Sequence, residues 1–449
     1  MASYLSNYIP PLSNFDPLVQ MGRITQVVGL VAEARGIKLP VGAGVFLHLL
    51  GGEKVLGEVV GFRGERMLIM PYAETRGLAV GCLVSPAGQE NQVKVGETLL
   101  GRIIDGLGLP IDGGPMPETN ELYPLYQQAP SPMGRKLITE PVDVGVRVIN
   151  ALITLGKGQR IGIFAGSGVG KSTLLGMVAQ HTTADISVIC LIGERGREVR
   201  EFVENELGAE GLKRSVVVVA TSDQPALVRI RSAYMATAIA EYFRDQGRDV
   251  VLMMDSITRF AMAAREVGLS VGEPPTTKGY TPSVFAQFPR LLERAGTCDG
   301  EGSITGIYTV LVEGDDVTEP VADSMRSILD GHVVLSRRLA DQGHYPAIEV
   351  MGSVSRLITT LNPPPVLAAA RQLMELMAAY QKAEDLINIG AYVDGSNPRI
   401  DRARRLQDKI NAFLTQGQHE KVDMAASRHQ LLEIINTPDS ELLRRPPGR

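Results

Sequence analysis

The segment AGSGVGKST, residues 165–173, constrains the fold of this chain more than any other part of the sequence. It follows an apolar run, RIGIF, and precedes LLGMVAQ, which has a helical pattern. Its three glycines would let several backbone N–H groups point inward at phosphate oxygens: Gly166, Gly168 and Gly170. The N-terminus of the following helix adds its dipole to the same anion site. The segment therefore predicts a phosphate-binding loop that joins a strand to a helix.

The side chains at the end of this loop have separate chemical tasks. The ammonium of Lys171 suits the β- and γ-phosphates of a bound nucleotide, and the hydroxyl of Ser172 suits a Mg²⁺ ion. Ala165 stands where the strict form of the motif has glycine, so the match is to the looser [AG]xxxxGK[ST] form. A glycine turn without a ligand would not require a Lys-Ser pair at this place. We therefore expect a nucleotide site with Mg²⁺.

Two carboxylates follow apolar strands further along the chain. Asp255 comes after DVVLMM, at the carboxyl-end edge of the predicted sheet, where an acidic residue can hold a Mg²⁺-bound water. Glu194 follows the strand predicted at 187–192 and can polarise an attacking water as a general base. Taken alone, such an Asp is also common as a helix cap or turn residue. A surface charge is the alternative for Glu194, and it is the reading we adopt for Glu198, Glu201 and Glu204.

The sequence around the loop alternates apolar strands with helical patterns from about Val144 onward. One such helical pattern covers residues 225–245. Near-continuous apolar strands between helices indicate a parallel sheet that is covered on both faces. The predicted strands are residues 161–164, 188–192, 216–220, 250–254, 307–312 and 332–335.

The regions on either side of this sheet have different patterns. Short β-rich runs broken by glycine begin at Gly22 and indicate a small closed barrel. Residues 113–132, rich in proline and polar residues, predict an irregular connection. After three consecutive prolines at 363–365, two apolar stripes at helical spacing predict helices. We therefore expect an arm, a β-barrel, a catalytic nucleotide domain and a helical domain at residues 1–21, 22–90, 91–362 and 363–449.

Composition argues against several other classes of protein. The net charge is −5 and aromatic residues make up only 5% of the chain, which disfavours a protein that coats nucleic acid. The N-terminus has no lysine or arginine before Arg23 and no apolar signal-peptide region. No run of about 18 apolar residues is present that could span a membrane. With three widely spaced cysteines, these features favour a cytoplasmic protein.

Long stretches of the chain resemble the rotary and export ATPases, a family of RecA-like phosphate-loop proteins. The family includes the catalytic subunit of F-type ATP synthase and the ATPases of type III secretion. The resemblance covers nearly the whole chain and is closest to the flagellum-specific export ATPases. It is carried by FAGSGVGKS, LIGERGREVREF, DVVLMMDSITRFAMA, KGYTPSVFAQFPRLLERAG, VLVEGDD, DSMRSILDGHVVLSR and GHYPAI. It implies an α/β fold, with a RecA-like nucleotide domain between a small N-terminal β-barrel and a helical C-terminal domain.

The resemblance also implies roles for individual residues, with ATP and Mg²⁺ as ligands. Lys171 and Ser172 match the phosphate and Mg²⁺ ligands, and the backbone of Thr173 matches a contact to the α-phosphate. Glu194 matches the catalytic carboxylate, and Arg195 matches an arginine near the γ-phosphate. The remaining loop residues would contact the nucleotide: Ala165, Gly166, Ser167, Gly168, Val169 and Gly170.

Three further residues match functional positions of the family. Asp255 matches the metal-site aspartate, and Tyr345, in GHYPAI, matches the aromatic residue that stacks on adenine. Without the resemblance, Tyr345 could equally be a core tyrosine held by the following proline. Arg356, in SVSRL, matches the arginine finger that reaches a neighbouring subunit's site. An arginine with no assigned role is otherwise a solvated surface residue.

The resemblance implies a homohexamer, because one chain carries both Glu194 and Arg356 and needs no second type of subunit. Its expected partners are the flagellar export apparatus, stalk and regulator proteins, chaperones and export substrates, without nucleic acid. Its expected location is the cytoplasm, peripheral to the inner face of the membrane at the flagellar base, through the export gate.

Four other functions remain open from the sequence. They are a virulence (injectisome) secretion ATPase, an F-type ATP synthase catalytic subunit, a ring-shaped RNA helicase and a non-catalytic nucleotide-binding scaffold. The finger-like Arg356 in the same chain speaks against the synthase subunit. A helicase would need an N-terminal fold rich in aromatic and basic residues, of which the first hundred residues have few. Glu194 speaks against the scaffold.

Overall fold

The computed structural model describes residues 20–88, 91–119, 121–312 and 319–438, so all but Gln20 and Met21 of the expected arm lies outside it. The strands are β1 (Gly22–Val28), β2 (Val31–Arg35), β3 (Gly44–His48), β4 (Lys54–Arg63), β5 (Arg66–Pro71), β6 (Leu83–Pro86), β7 (Gln92–Val95), β8 (Ile103–Asp105), β9 (Glu121–Pro124), β10 (Pro141–Val142), β11 (Leu155–Gly156), β12 (Arg160–Ala165), β13 (Ile186–Ile192), β14 (Ser215–Ala220), β15 (Asp249–Asp255), β16 (Gly296–Thr297), β17 (Ser303–Leu311), β18 (Gly331–Leu335) and β19 (Val354–Ser355). The α-helices are α1 (Arg147–Leu152), α2 (Lys171–His181), α3 (Gly196–Glu201), α4 (Gly208–Lys213), α5 (Ala226–Asp245), α6 (Ile257–Val271), α7 (Pro282–Leu292), α8 (Pro320–Ile328), α9 (Arg337–Asp341), α10 (Ile358–Leu361), α11 (Pro364–Asn388), α12 (Pro398–Leu414) and α13 (Met424–Ile435). A π-helix, Phe202–Leu207, lies between α3 and α4.

The first six strands form a closed antiparallel barrel in the order β1-β2-β5-β4-β3-β6. Closure leaves no unpaired edge, and alternate side chains such as Val45 and Leu47 fill the interior. The barrel packs against α5 of the following domain through a small apolar cluster that includes Tyr72. Within the barrel, the Tyr72 hydroxyl donates a hydrogen bond to Glu58. The guanidinium of Arg231, on α5, lies 5.7 Å from the centre of the Tyr72 ring. The barrel is therefore joined to the nucleotide domain by both apolar and charged contacts.

The central sheet has the strand order β19-β18-β12-β17-β15-β13-β14-β8, with β16 paired to β17. Every pair from β18 to β8 is parallel, and β16 and β19 pair antiparallel. Parallel strands in one sheet have their carboxyl ends at the same edge. The segments that follow β12, β13 and β15 therefore lie next to one another at this edge.

Each face of this sheet is buried under helices. Along β13, Val188 and Cys190 enter one hydrophobic core, while Ile189 and Leu191 enter the other. The first core is shared with α5, α6 and α7, and the second with α2 and the C-terminal helices α11, α12 and α13. Strands that are covered on both sides have no polar face, which explains why their sequences read as continuous apolar runs. No helix in the described part of the chain is long and apolar enough to cross a membrane.

The predicted fold class is confirmed, and the six predicted strands are present with shifted ends. The prediction for residues 113–132 was wrong in part, because β9 lies there and pairs antiparallel with β7. Its four residues, ELYP, are too few and too polar to give a periodic signal. A third C-terminal helix, α13, was also missed, although Asp423 caps it by accepting a hydrogen bond from Ala426 N.

A fully buried ion pair joins α5 to the residue pair that follows α7. Arg294, just after α7, and Glu241, on α5, are each about 1% exposed and form two parallel hydrogen bonds of 2.9 and 2.6 Å. The same guanidinium donates to the carbonyl of Leu125 at 2.7 Å, so the pair also ties down the segment after β9. Removing one partner would leave the other charge buried without compensation.

We predict that Glu241→Gln lowers the free energy of unfolding by about 3–5 kcal/mol, because it leaves the Arg294 charge without its counterion. Urea denaturation followed by circular dichroism would measure the change. The matched control is Glu201→Gln, which breaks the exposed pair of Glu201 with Arg197 and should cost no more than about 1 kcal/mol. Equal losses for the two variants would contradict the prediction.

Candidate active site

The predicted phosphate-binding loop connects β12 to α2, as the sequence indicated. Gly168 and Gly170 have φ of 76° and 90°, in the left-handed region that favours glycine. Val169 is buried in the core below, which anchors the loop between them. Because α2 begins at Lys171, the unpaired N–H groups of its first turn face the loop. The backbone therefore forms an anion site at the helix N-terminus.

Three charged side chains meet at the carboxyl-end edge of the sheet beside this loop. Lys171 Nζ donates a hydrogen bond to Asp255 Oδ1 and lies 3.5 Å from Glu194 Oε1. Asp255 ends β15, and Glu194 lies two residues beyond β13. The hydroxyl of Thr309, on β17, donates to Asp255 Oδ1 at 2.8 Å and fixes the carboxylate. The structure thus brings together the three residues to which the sequence assigned phosphate, metal and base roles.

Burial determines the protonation behaviour of this cluster. It raises the pKa of Glu194 to about 7, although the Lys171 ammonium opposes the shift and the Asp255 carboxylate adds to it. Burial alone would lower the pKa of Lys171, but the attraction of Asp255 and Glu194 outweighs it and the net shift is upward. The lysine therefore stays charged, while the Glu194 carboxyl exchanges its proton near neutral pH.

A carboxylate and a hydroxyl at this edge fit a magnesium ion. Asp255 is buried, and both hydrogen bonds that its carboxylate accepts from the described residues use Oδ1. Ser172 is exposed in the first turn of α2. Mg²⁺ is bound through one or two protein oxygens together with substrate phosphates and waters, so these two donors suit it. The described residues contain no cluster of three or more His, Cys, Asp and Glu that could hold a metal ion alone.

Glu198 is a neighbour of this cluster that the sequence analysis treated as a surface charge. It shares a hydrogen bond with Glu194, which lowers the pKa of Glu198 and adds to the upward shift of Glu194. Arg195 is largely exposed, and its Nη1 bonds Glu198 Oε1 at 3.2 Å. The available signal was the position of Glu198 in the first turn of α3, only four residues after Glu194. In this structure Arg195 contacts Glu198.

Tyr345 lies against the other side of the phosphate loop. A Cβ added to Gly170 would be 3.4 Å from its Cε1, so the ring packs on this glycine. The ring is half exposed and faces a cleft of about 540 Å³, whose lining includes Arg147, Gln416, Gly417 and Glu420. Sequence reasoning missed this lining because it comes from α1 and from the segment after α12, which lie far from the loop in sequence. It also missed Arg337, whose Nη2 donates to the carbonyl of Ser167 at 2.9 Å.

Arg356 is not part of this group of active-site residues. It follows β19, which pairs antiparallel with β18 in the register Gly331 to Ser355. Its backbone N donates to the carbonyl of Asp330, just before the start of β18. The phosphate loop instead follows the carboxyl end of β12, which pairs parallel with β18. At about 3.3 Å per residue, a five-residue strand separates the two by roughly 15 Å. Arg356 lies in a surface cleft with Arg326 and His332, away from its own chain's phosphate loop.

Sequence comparison with protein-family models gives three matches along the chain. The nucleotide-binding domain of the ATP synthase alpha/beta family matches residues 145–355, and the beta-barrel domain of that family matches residues 24–88. The C-terminal domain of the type III secretion ATPase EscN matches residues 363–433.

Individual proteins match over most of their length. A flagellum-specific ATP synthase of Bacillus subtilis is 54% identical over 407 residues, which are 90% of this chain and 93% of that protein. A flagellum-specific ATP synthase of Salmonella typhimurium is 48% identical over 97% of this chain and 99% of that protein. The assembled ATPase EscN of the enteropathogenic Escherichia coli type III secretion system superposes with a TM-score of 0.88 at 45% identity, covering 92% of this chain and all of that chain. A second structure shows EscN with its central stalk EscO, with a TM-score of 0.86 at 44% identity over 92% of this chain and all of that chain.

The raised pKa of Glu194 predicts a pH-dependent term in stability that Glu194→Gln should remove. The carboxyl has an ordinary pKa of 4.5 and a folded value of about 7, so the folded state binds its proton more tightly. Its contribution is fully present below about pH 4.5 and is lost as the pH rises through 7. Between about pH 5 and pH 8, the variant should therefore gain roughly 2–3 kcal/mol of unfolding free energy relative to the parent. Urea denaturation of nucleotide-free protein tests this, and parallel pH curves would refute it.

Proposed function

The chain belongs to the ATP synthase alpha/beta family, in its type III secretion branch, and is an ATPase; from that premise we propose that it hydrolyses Mg·ATP to serve protein export through a flagellar secretion apparatus. One observation carries the catalytic part of the proposal. Lys171, Asp255 and Glu194 converge beside the phosphate loop, and Glu194 has a pKa of about 7. A carboxyl with this pKa can take and return a proton at neutral pH.

In the proposed reaction, the loop residues 165–170 and the backbone of Thr173 hold the phosphates. Lys171 turns from Asp255 to the β- and γ-phosphates, where its charge stabilises the leaving group. Asp255 and Ser172 would hold Mg²⁺, which neutralises phosphate charge. Glu194 accepts a proton from the attacking water and later releases it to solvent. Arg195 would approach the γ-phosphate only by leaving Glu198, a rearrangement that its exposure permits.

The adenine would lie in the cleft beside Tyr345. The ring packs on Gly170, so a nucleotide whose phosphates occupy the loop brings its base to this side of the site. An aromatic face half open to a cleft of about 540 Å³ suits a planar base. This placement uses the ring of Tyr345 as a stacking surface and leaves the rest of the cleft to contact the edge of the base.

The position of Arg356 supports a ring of identical subunits. Arg356 lies near the amino end of β18, whereas the phosphate loop of its own chain lies at the carboxyl ends of the strands, so Arg356 cannot reach that loop. It is nevertheless exposed, in a surface cleft. In a closed ring, each subunit would offer Arg356 to the site of the next. We propose a homohexamer, and the similar ATPase EscN, solved in an assembled form, supports assembly of the chain. On the same grounds, a stalk protein would be one of its partners, as EscO is for EscN.

The remaining parts of the proposal concern location and pathway. The chain would act in the cytoplasm, at the inner face of the membrane beneath the export gate, with chaperones and export substrates as partners. The second candidate is a virulence-type secretion ATPase, favoured by the match of residues 363–433 to the EscN C-terminal domain. Expression in a bacterium that lacks its flagellar ATPase separates the two, because restored motility supports the flagellar assignment and its absence, with the protein present, opposes it.

We predict that Glu194→Gln retains nucleotide binding and loses ATP turnover by about 10²–10⁴-fold, because the amide keeps the shape of the side chain but cannot accept the proton. Phosphate release gives the rate, and titration with Mg·ADP gives the affinity. The matched control is Glu201→Gln on α3, an exposed residue paired with Arg197, which should hydrolyse at the parent rate. A Glu194→Gln variant with the parent rate would remove the general-base role.

Arg356→Ala should likewise bind ATP and hydrolyse it poorly, since an arginine supplied by a neighbour is worth up to about 10³–10⁵-fold in related phosphoryl transfer. Mixing it with Glu194→Gln should restore part of the activity, because some sites then combine an intact Glu194 with a neighbour's intact Arg356. Specific activity should also rise with protein concentration. No recovery, in a mixture shown to assemble, would mean that Arg356 does not act between subunits.

A further inference from the structure

The π-helix Phe202–Leu207 lies against α2, the helix that begins at the phosphate loop. The approach is close because Gly176 has no side chain, and a Cβ there would be 2.7 Å from Glu206 Cβ. Gln180, one turn further along α2, donates to the carbonyl of Glu206 at 2.6 Å. π-Helical turns are rare and frequently occur at functional sites. This one places the carboxylate of Glu206 beside the first turn of α2.

The carboxylate of Glu206 joins two segments that are distant in sequence. Its Oε1 accepts a hydrogen bond from Thr173 Oγ1 at 3.3 Å, and its Oε2 accepts one from Gln418 Nε2 at 2.9 Å. Thr173 is in the first turn of α2, next to the proposed Mg²⁺ ligand. Gln418 belongs to the segment 415–420, which follows α12 in the C-terminal domain. Glu206 therefore connects this C-terminal segment to the helix of the phosphate loop.

Four residues of the segment 415–420 line the cleft beside Tyr345: Thr415, Gln416, Gly417 and Glu420. The near end of the segment is held by Gln416, whose backbone N donates to the carbonyl of Tyr345 at 2.9 Å and whose side chain accepts from Arg147 N at 2.7 Å. Gln418, two residues further on, bonds only Glu206 among the side-chain contacts that the described residues make. Arg147 also donates to the carbonyl of Thr415 and to the carboxylate of Glu420, so both ends of the segment are held against α1. Gln418 lies between the lining residues Gly417 and Glu420, and its bond to Glu206 links this middle part of the segment to the π-helix.

We propose that Glu206 is a positioning residue for nucleotide binding, which holds the segment 415–420 at the width of cleft that accepts the base. It contacts no reacting atom and acts through Gln418. The inference rests on the proposed function, since it requires the base to lie beside Tyr345. It predicts that loss of Glu206 weakens ligands that carry a base and spares ligands that consist of phosphate alone.

The test compares Mg·ADP with Mg·pyrophosphate on full-length Glu206→Ala by calorimetric titration. The two ligands have the same number of phosphates and differ by adenosine. ADP should bind about three- to tenfold more weakly than to the parent, as expected for one lost hydrogen bond to a charged group. Pyrophosphate affinity should change by less than about twofold. KM for ATP should rise by the same factor as the ADP dissociation constant, with kcat nearly constant.

Three further variants make the test specific. Glu204→Ala is the matched control, because Glu204 is in the same π-helix but pairs with the exposed Arg200, and it should change neither affinity. Glu206→Gln should recover most of the loss, since an amide can accept from Thr173 and donate to Gln418. Gln418→Ala should reproduce the loss, and combining it with Glu206→Ala should add nothing further.

Equal weakening of ADP and pyrophosphate would overturn the inference, because Glu206 would then act on the phosphate loop through Thr173. Unchanged ADP affinity in Glu206→Ala would overturn it as well. Tyr345→Ala, measured in parallel, separates this failure from failure of the proposed function. If that variant bound ADP as tightly as the parent, the base would not lie beside Tyr345 and the proposed adenine site would be wrong.

Discussion

The parallel pairing of β12, β17, β15 and β13 is the constraint on which the rest of the site depends. It makes the carboxyl ends of four strands meet at one edge, so that residues separated by more than a hundred positions in sequence become neighbours. Lys171, Glu194, Asp255 and Thr309 each belong to or follow a different one of these strands. A shift in the register of any strand would move its residue by about 3.3 Å per position and break the cluster. The buried cores on both faces hold that register.

In the proposed reaction, the charge balance of this cluster would couple nucleotide binding to the chemistry. One ammonium lies between two carboxylates, and burial raises the pKa of the Glu194 carboxyl to about 7. A triphosphate would draw Lys171 away from Asp255, which frees the aspartate for a metal ion and removes the attraction that lowers the pKa of Glu194. In the proposed reaction, a Mg²⁺ ion at Asp255 would supply positive charge in place of the ammonium, which would keep the pKa of Glu194 near the operating pH that suits a general base.

The sequence located the residues of this cluster better than it located the residues around them, for a physical reason. The phosphate loop and the two strand-end carboxylates are short motifs whose geometry is set by local backbone, so the positions of Lys171 and Asp255 could be read directly. Glu198 and Glu206 look like ordinary charges in a helical run, and only folding shows that one touches Glu194 and the other touches Thr173. The π-helical register that directs Glu206 toward α2 has no signature in the sequence. Long-range contacts of this kind come from tertiary packing, which local patterns do not encode.

In the proposed ring, the site would be incomplete in one chain, because Arg356 would come from a neighbouring subunit. Arg356 is attached to β19, at the edge of the same sheet whose other end holds the phosphate loop. The two ends are joined by β18 and β12, a parallel pair of five and six residues. In the proposed ring, these strands would connect the phosphate loop of one subunit to the arginine that it offers to the next. By linkage, a nucleotide that favours the arginine contact must also be favoured by it, so binding and assembly would strengthen each other.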